Sequence, residues 1–184
     1  RLGLGLAFHV TPSNIPTNFA YSLVFSLLCG NANIIKLPSQ NFLEIEQLCL
    51  VFNKVLKKFP KIKRFILIVK TENSEQFSKK VSEFSDLRII WGGNQTINKL
   101  KEIKTHERCR DLYFPNRNSF CVINLDEISK KKEYEIINIC RSFYNDTFLV
   151  DQNACSSPHL IYWIGKKNKK IINIFWKSLQ KVIK

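Results

Sequence analysis

The sequence predicts an α/β fold built on a doubly wound, largely parallel sheet. Two observations carry this. Short apolar runs of strand length alternate with longer amphipathic segments along the whole chain, the pattern of repeated βαβ units. Several of those runs are continuously apolar, as are strands covered by helices on both faces. The first run, residues 4–10, ends in a segment whose Pro12 and Pro16 forbid regular structure and fix a rigid turn. A helix follows, with Thr17 or Asn18 able to cap it, Phe19, Leu23, Leu27 and Leu28 at helical spacing, and Gly30 where a C-terminal glycine is expected. Ile34, Ile35 and Lys36 form the next strand, stopped by Pro38.

Residues 42–59 repeat apolar side chains at a period of about 3.6 up to Pro60 and predict a helix, and residues 65–69 predict a strand buried on both faces. Next come a polar-faced helix over 74–84, a strand over 87–91, a tight turn at Gly92-Gly93 and a helix over 95–104. Residues 120–125 read as another buried strand and 127–143 as one helix. A polar loop at 151–157 then leads to a strand at 160–164, and a last amphipathic helix starts near Lys169.

At 184 residues, the chain is long enough for a domain with its own core, and 45% apolar residues with only six Gly and six Pro exclude a fibrous or disordered class. It opens on Arg1 before an apolar run and holds no Met, so it is expected to be a piece of a longer protein. The net charge of +14, from 29 Lys plus Arg against 15 Asp plus Glu, attracts polyanions. Most of that excess is Lys spread over amphipathic segments and short clusters at 130–132 and 166–170, without an arginine-rich arm, a zinc knuckle or an RNA-binding aromatic signature. Nucleic acid is therefore not the expected partner, and phosphate-bearing small molecules such as coenzyme A or a dinucleotide are the nearer class.

Six cysteines never occur as C-x-x-C and several lie in apolar runs, so neither a metal site nor a disulfide framework is expected. No stretch approaches the roughly 20 apolar residues of a membrane span, since residues 19–29 are too few and are interrupted by Ser22 and Ser26. A reducing cytoplasm is the expected compartment. In doubly wound sheets ligands bind beyond the carboxyl ends of the strands, where the irregular loops 11–17, 37–40 and 91–94 fall. With no G-x-G-x-x-G and no Walker sequence, a nucleotide must be held by other means.

Four motifs in order carry a resemblance. They are Phe8-His9-Val10-Thr11-Pro12-Ser13-Asn14-Ile15-Pro16-Thr17 with Phe19-Ala20-Tyr21-Ser22, then Gly30-Asn31-Ala32-Asn33-Ile34-Ile35-Lys36-Leu37-Pro38-Ser39, then Trp91-Gly92-Gly93-Asn94-Gln95-Thr96-Ile97, and last Asp151-Gln152-Asn153-Ala154-Cys155-Ser156-Ser157-Pro158. Together they resemble the LuxC-type long-chain acyl-CoA reductases of the aldehyde dehydrogenase superfamily. The resemblance implies a Rossmann-like dinucleotide-binding domain over residues 1–125 and the beginning of the catalytic domain over 126–184. It also implies NADPH-dependent reduction of an acyl-CoA or other acyl thioester to the aldehyde through an acyl-Cys intermediate, with NADH as the alternative cofactor. An acyl-transferase or ligase partner and a homo-oligomer go with that family.

Cys155 lies in a polar loop, unlike the other cysteines, where an exposed thiol of lowered pKa can exist, and Gln152 stands three residues before it. Under the resemblance it is the catalytic thiol. Asn14, held between Pro12 and Pro16, is then the amide donor to the oxyanion, with the backbone N–H of Cys155 as the second. Its neighbour Ser13 counts among the cofactor-binding residues. Lys36 and Ser39 match positions that hold the adenosine ribose. Ser39 stands where NAD-preferring relatives often carry Glu, and the missing carboxylate leaves room for a 2′-phosphate, which favours NADPH. Gly92 and Gly93 permit close backbone approach, and the helix start after them presents N–H groups suited to a pyrophosphate.

Residues 112–118 hold no Glu where hydrolytic aldehyde dehydrogenases carry a water-activating one, which fits a thioester that survives until hydride arrives. His9 and His159 flank two motifs as candidates for proton transfer, against the commoner structural role. Without the resemblance, Asn14 and the glycine pair are turn residues and Lys36 is a solvated lysine. Two other readings stay open: a non-catalytic nucleotide- or nucleic-acid-binding α/β module, supported by the basic charge alone, and a truncated, inactive family member.

Overall fold

The structure, a computed structural model, describes residues 2–72 and 74–184. The chain divides into two compact units, residues 1–116 and 117–184. The first holds five parallel strands, β1 (Leu6–Val10), β2 (Ala32–Lys36), β3 (Ile66–Val69), β4 (Leu87–Gly92) and β5 (Arg110–Pro115), in the order β3-β2-β1-β4-β5. The chain starts at the centre, winds outward through β2 and β3, and returns to the other side of β1 with β4. Helices α1 (Asn18–Leu28), α2 (Leu43–Leu56), the short α3 (Pro60–Lys63), α4 (Ser74–Glu83) and α5 (Asn94–Lys101) connect the strands.

Successive strand side chains face opposite sides of a sheet, and β1 shows how this builds two cores. Phe8 and Val10 join Ile90 beneath Val81 of α4 and Ile97 and Leu100 of α5. Ile35 of β2 faces the other way and packs with Phe19 and Leu23 of α1 and Ile45 of α2. Phe8, Phe19, Leu23, Ile35 and Ile90 are fully buried, and each such side chain stabilises the fold by roughly 1.5–3 kcal/mol relative to exposure. α1 ends as Gly30 requires. With φ 90° it lies in the left-handed region, its N–H donates to Leu27 O at 2.8 Å, and the next N–H, of Asn31, reaches back to Ser26 O at 3.1 Å. That pair of bonds is a Schellman motif. Thr17 takes the N-cap position, but its side chain caps nothing.

Edge positions depart from the sequence expectation. β3 is an edge strand, with Leu67 52% exposed, so its apolar run is not buried on both faces. β5, at the opposite edge, alternates exposed and half-buried residues, a pattern too polar at Arg110 and Asp111 to be read as a strand from sequence. It is held by charge. The Arg88 side chain is buried on β4, and Asp111 is its register partner on β5. Arg88 Nε and Nη2 donate to Asp111 Oδ1 at 2.7 Å and Oδ2 at 2.5 Å, while Nη1 donates to the carbonyls of Leu100 at 2.9 Å and Ile103 at 3.3 Å, at the end of α5. Tyr113 O–H donates to the same carboxylate. Burial alone pushes the Asp111 carboxyl up, but the bonds from Arg88 and Tyr113 outweigh it and hold it below the usual range.

The second unit pairs β6 (Ser119–Asn124) with β7 (Pro158–Ile164) in parallel and packs them against α6 (Leu125–Ser129), α7 (Glu133–Thr147) and α8 (Lys169–Ile183). Its core is Ile123, Ile128, Ile136, Cys140, Phe143, Phe175 and Leu179. β6 pairs with β7 and lies within this compact unit, which begins at residue 117. β6 is also not uniformly buried: Phe120 and Val122 are exposed, and Cys121 and Ile123 face the core.

The single helix expected over 127–143 is two. The Asn124 side chain caps α6 by accepting from Asp126 N at 2.9 Å and Glu127 N at 3.4 Å, and the chain breaks at Lys130-Lys131-Lys132. α7 restarts where the Glu135 carboxylate accepts the Lys132 N–H at 2.9 Å. Three adjacent lysines hold no apolar side chain to bury, so the local caps decide the break.

Removing one member of a buried ion pair leaves the other charge uncompensated, at a cost of about 3–5 kcal/mol. Asp111→Ala is expected to lower the unfolding free energy, measured by urea titration, by about 3 kcal/mol, and the double variant Arg88→Met, Asp111→Leu by clearly less. Equal losses would show that the uncompensated Arg88 charge is not what makes the single substitution costly.

Candidate functional site

The strand order reverses between β1 and β4, and there the chains leaving the sheet part: β1 leads to α1 on one face and β4 to α5 on the other. A cavity of about 380 Å³ opens beyond these strand ends, lined by Thr11, Pro12, Ser13 and Asn14 after β1, Pro38, Ser39 and Gln40 after β2, Trp91, Gly92 and Gly93 of β4 and its exit, Thr96 of α5 and Asn116 after β5. All three loops singled out from sequence therefore converge here. Thr11 stitches two of them together, donating to Lys36 O from both its N–H, at 3.3 Å, and its hydroxyl, at 2.8 Å.

The floor of the cavity is the junction between β4 and α5. Gly92 and Gly93 do not form a tight turn. Gly92 ends the strand and Gly93, at φ −67° and ψ 164°, is already the N-cap of the helix. At Gly92 a Cβ would sit 3.3 Å from Cβ and Cγ2 of Thr96, so that side chain would have to give way by a few tenths of an ångström. At Gly93 the nearest atom would be Asn116 Nδ2 at 3.8 Å, so that glycine leaves open space above the helix end. No side chain caps α5. Its first amides and its positive dipole end thus border the cavity, an arrangement that suits a phosphate group. None of the lining residues is a carboxylate.

Lys36 does not share this cavity with Ser39. It points to the opposite face from Ile35 and lines a second cavity, of about 520 Å³, with Ser74, Glu75 and Ser78 of α4 and Thr96, Lys99, Leu100, Glu102 and Ile103 of and after α5. There Lys36 Nζ donates to Ser78 Oγ at 3.0 Å, and Ser78 donates to Ser74 O at 2.7 Å. Burial lowers the Lys36 pKa. Thr96 lines both cavities. Thr96 and Trp91 lay inside a motif legible in the sequence, whereas Ser78 carried no signal, because only the facing of α4 brings it to Lys36.

His9 is fully buried and structural. Asn33 Nδ2 donates to Asn31 O at 2.8 Å, which leaves Asn33 Oδ1 to accept from His9 Nε2–H at 2.9 Å. His9 Nδ1 is then the acceptor for the Ser22 hydroxyl at 2.8 Å, and Ser22 Oγ accepts the indole N–H of Trp91 at 3.4 Å. Every member of this chain is satisfied with His9 neutral. Burial, only partly offset by the bond to Asn33, pushes its pKa down to about 4. His159 is exposed.

Cys155 belongs to the second unit, in the loop from α7 to β7. Two consecutive non-glycine residues before it, Asp151 at φ 51° and Gln152 at φ 59°, occupy the left-handed region. Gln152 N–H donates to Thr147 O at 3.1 Å and Asn153 N–H to Val150 O at 2.9 Å, closing the turn. Cys155 is exposed, and its carbonyl accepts from Ser119 Oγ at 2.7 Å. Burial pushes the thiols of Cys49, Cys109 and Cys121 up, and that of Cys140 up to about 11, which makes these poor sources of thiolate. Among the described residues no three His, Cys, Asp or Glu side chains are grouped to hold a metal, and no helix is long and apolar enough to cross a membrane.

Solved structures share this doubly wound sheet. The lactaldehyde dehydrogenase of Escherichia coli superposes with a TM-score of 0.68 over 98% of this chain and 35% of its own, at 14% identity, so the fold is that of the aldehyde dehydrogenases. The family model for acyl-CoA reductase (LuxC) matches residues 1–181, and the chain belongs to that family. Among curated relatives, the long-chain acyl-protein thioester reductase of Photorhabdus luminescens is 26% identical over 164 residues, covering 88% of this chain and 32% of the relative. The enzyme of the same name from Aliivibrio fischeri is 25% identical over 182 residues, covering 98% and 36%. The chain spans about a third of the length of these relatives.

The folded-state pKa of His9 lies below its unfolded value of 6.5, so its contribution to stability is complete above pH 6.5 and is lost as pH falls towards 4. Thermal unfolding followed across that range should show a loss of about 3 kcal/mol from this group. His9→Gln should flatten the slope; an unchanged slope would assign the acid sensitivity elsewhere.

Proposed function

We propose that this chain forms the cofactor-binding part and the opening catalytic segment of an NADPH-dependent reductase that converts an acyl thioester to the aldehyde, with Cys155 as the acyl acceptor. The observation that carries the cofactor half is the carboxylate-free cavity at the switch point, floored by Gly92, Gly93 and the uncapped start of α5. In this reading the α5 amides hold the pyrophosphate, assisted by Ser13. The cavity between α4 and α5, with Lys36 at its wall, receives the adenine ring, and the ribose lies where Thr96 borders both cavities. Ser39 lines the first cavity as a hydroxyl, not a carboxylate, which tolerates a 2′-phosphate. When bound, the nicotinamide cofactor supplies hydride.

For the acyl half, membership of the acyl-CoA reductase family and the names of the relatives support an acyl thioester as substrate. The Cys155 thiolate, its proton released to solvent, adds to the thioester carbonyl to form a tetrahedral oxyanion, whose collapse breaks the old C–S bond and expels the donor thiolate, which takes up a proton from solvent. Asn14 is an amide donor for the oxyanion of that addition. The missing glutamate over residues 112–118, where β5 now lies, leaves no base there to activate water against the acyl-enzyme.

Incubation of the full-length protein with tetradecanoyl-CoA in the absence of cofactor should add one acyl mass on the Cys155 peptide by mass spectrometry, and Cys155→Ala should abolish it. An adduct surviving that substitution would sink the assignment of the thiol. Independently, Ser39→Glu should weaken NADPH binding at least ~10-fold, with NADH affinity kept, when quenching of tryptophan fluorescence is titrated with each cofactor. Equal weakening of both would show that Ser39 does not face the 2′ position.

A further inference from the structure

We propose that Ser119 is a positioning residue for Cys155: its hydroxyl holds the Cys155 carbonyl and thereby fixes the backbone from which the thiol and the Cys155 N–H project. This rests on the reading of Cys155 as acyl acceptor. Ser119 opens β6, where it is the register partner of Pro158 and sits at the irregularity between Ser119 and Phe120. Strand pairing thus brings its hydroxyl beside a loop that is 36 residues away in sequence, and the bond to Cys155 O is 2.7 Å.

The loop needs such an anchor. Asp151 and Gln152 both occupy the left-handed region without being glycine, and conformations of that kind persist only where surrounding contacts over-determine them. At the upstream end the contacts are the amides of Asp151, Gln152 and Asn153 bonding back to Phe148, Thr147 and Val150. Downstream, the Ser157 N–H closes on Ala154 O at 3.0 Å and Ser157 is fully buried at the mouth of β7. Between these two fixed ends Cys155 is exposed, and the bond from Ser119 comes from outside the loop. A carbonyl held by one strong donor fixes the plane of the following peptide and, through it, the direction of the Cys155 Cα–Cβ bond.

The consequence is specific to acyl transfer. A thioester must meet the thiol at a defined approach with its oxygen near a donor, whereas a small alkylating agent accepts a thiol in almost any orientation. The full-length protein and its Ser119→Ala and Ser119→Thr variants are to be compared for the rate of Cys155 acylation by tetradecanoyl-CoA, the rate of Cys155 alkylation by iodoacetamide, and the thermal midpoint. Ser119→Ala should slow acylation at least ~10-fold, leave alkylation within about 3-fold and keep the midpoint, and Ser119→Thr, which retains the hydroxyl, should restore acylation. Acylation of Ser119→Ala at the wild-type rate would overturn the inference. So would parallel loss of acylation and alkylation, which marks a collapsed loop, or failure of Ser119→Thr to rescue. If the wild-type protein forms no adduct on Cys155, the parent reading fails, and that outcome is distinct because it appears before any substitution at Ser119.

Discussion

The guanidinium of Arg88 is the tie on which the site-bearing half of the first unit depends. It leaves β4, grips the edge strand β5 through Asp111, and donates from its third nitrogen to the carbonyls at the end of α5. Three elements thereby share one charged group. β5 could not hold its place by burial, since Leu112 and Phe114 remain substantially exposed. α5 is short, and a helix of eight residues has little stability of its own. Fixing its C-terminal end from the sheet fixes the direction of its axis, and hence where its open N-terminal amides lie relative to Gly92 and Gly93. The Arg88 side chain is buried and each of its three nitrogens is hydrogen-bonded, the condition under which such a group specifies geometry without leaving an orphaned charge.

A second polar feature crosses the opposite face of the sheet. The chain from Trp91 through Ser22, His9 and Asn33 to Asn31 joins β4, α1, β1 and β2 with one consistent donor direction. An apolar residue in place of His9 would leave the Ser22 and Asn33 partners unsatisfied, each at a cost of about 1–3 kcal/mol. Trp91 is the outer end of that chain and also a wall of the switch-point cavity. The order of the core is thus passed by direct contact to the site, and His9 itself is explained by architecture.

The second unit solves a different problem. The acyl acceptor proposed for Cys155 must be exposed yet held, and exposed loops are ordinarily the least restrained part of a fold. Here the restraint is built from backbone: two left-handed residues, a set of short-range amide bonds and one hydroxyl from the neighbouring strand. Four of the other five thiols are shifted upward by burial, and three of them, Cys49, Cys121 and Cys140, pack in the cores. Exposure, loop strain and an external anchor coincide at Cys155 and are found together at none of the others.

What the sequence by itself determined was everything governed by neighbours along the chain. The alternation of strands and helices, the glycine that ends α1, the prolines of the β1–α1 turn and the three loops at the strand ends were legible because periodicity, φ preference and capping act over a few residues. The tertiary structure alone decided which strands stand at the edges, so the apolar run of β3 proved half-exposed and the polar β5 proved to be a strand at all. It also decided that the lysine cluster at 130–132 breaks a helix, that β6 joins the second unit, that Lys36 and Ser39 line different cavities, and that Ser119 meets Cys155. The reason is common to all of these: a strand's burial, a side chain's partner and a cavity's membership depend on residues distant in sequence, and local pattern carries no information about which distant surface will arrive.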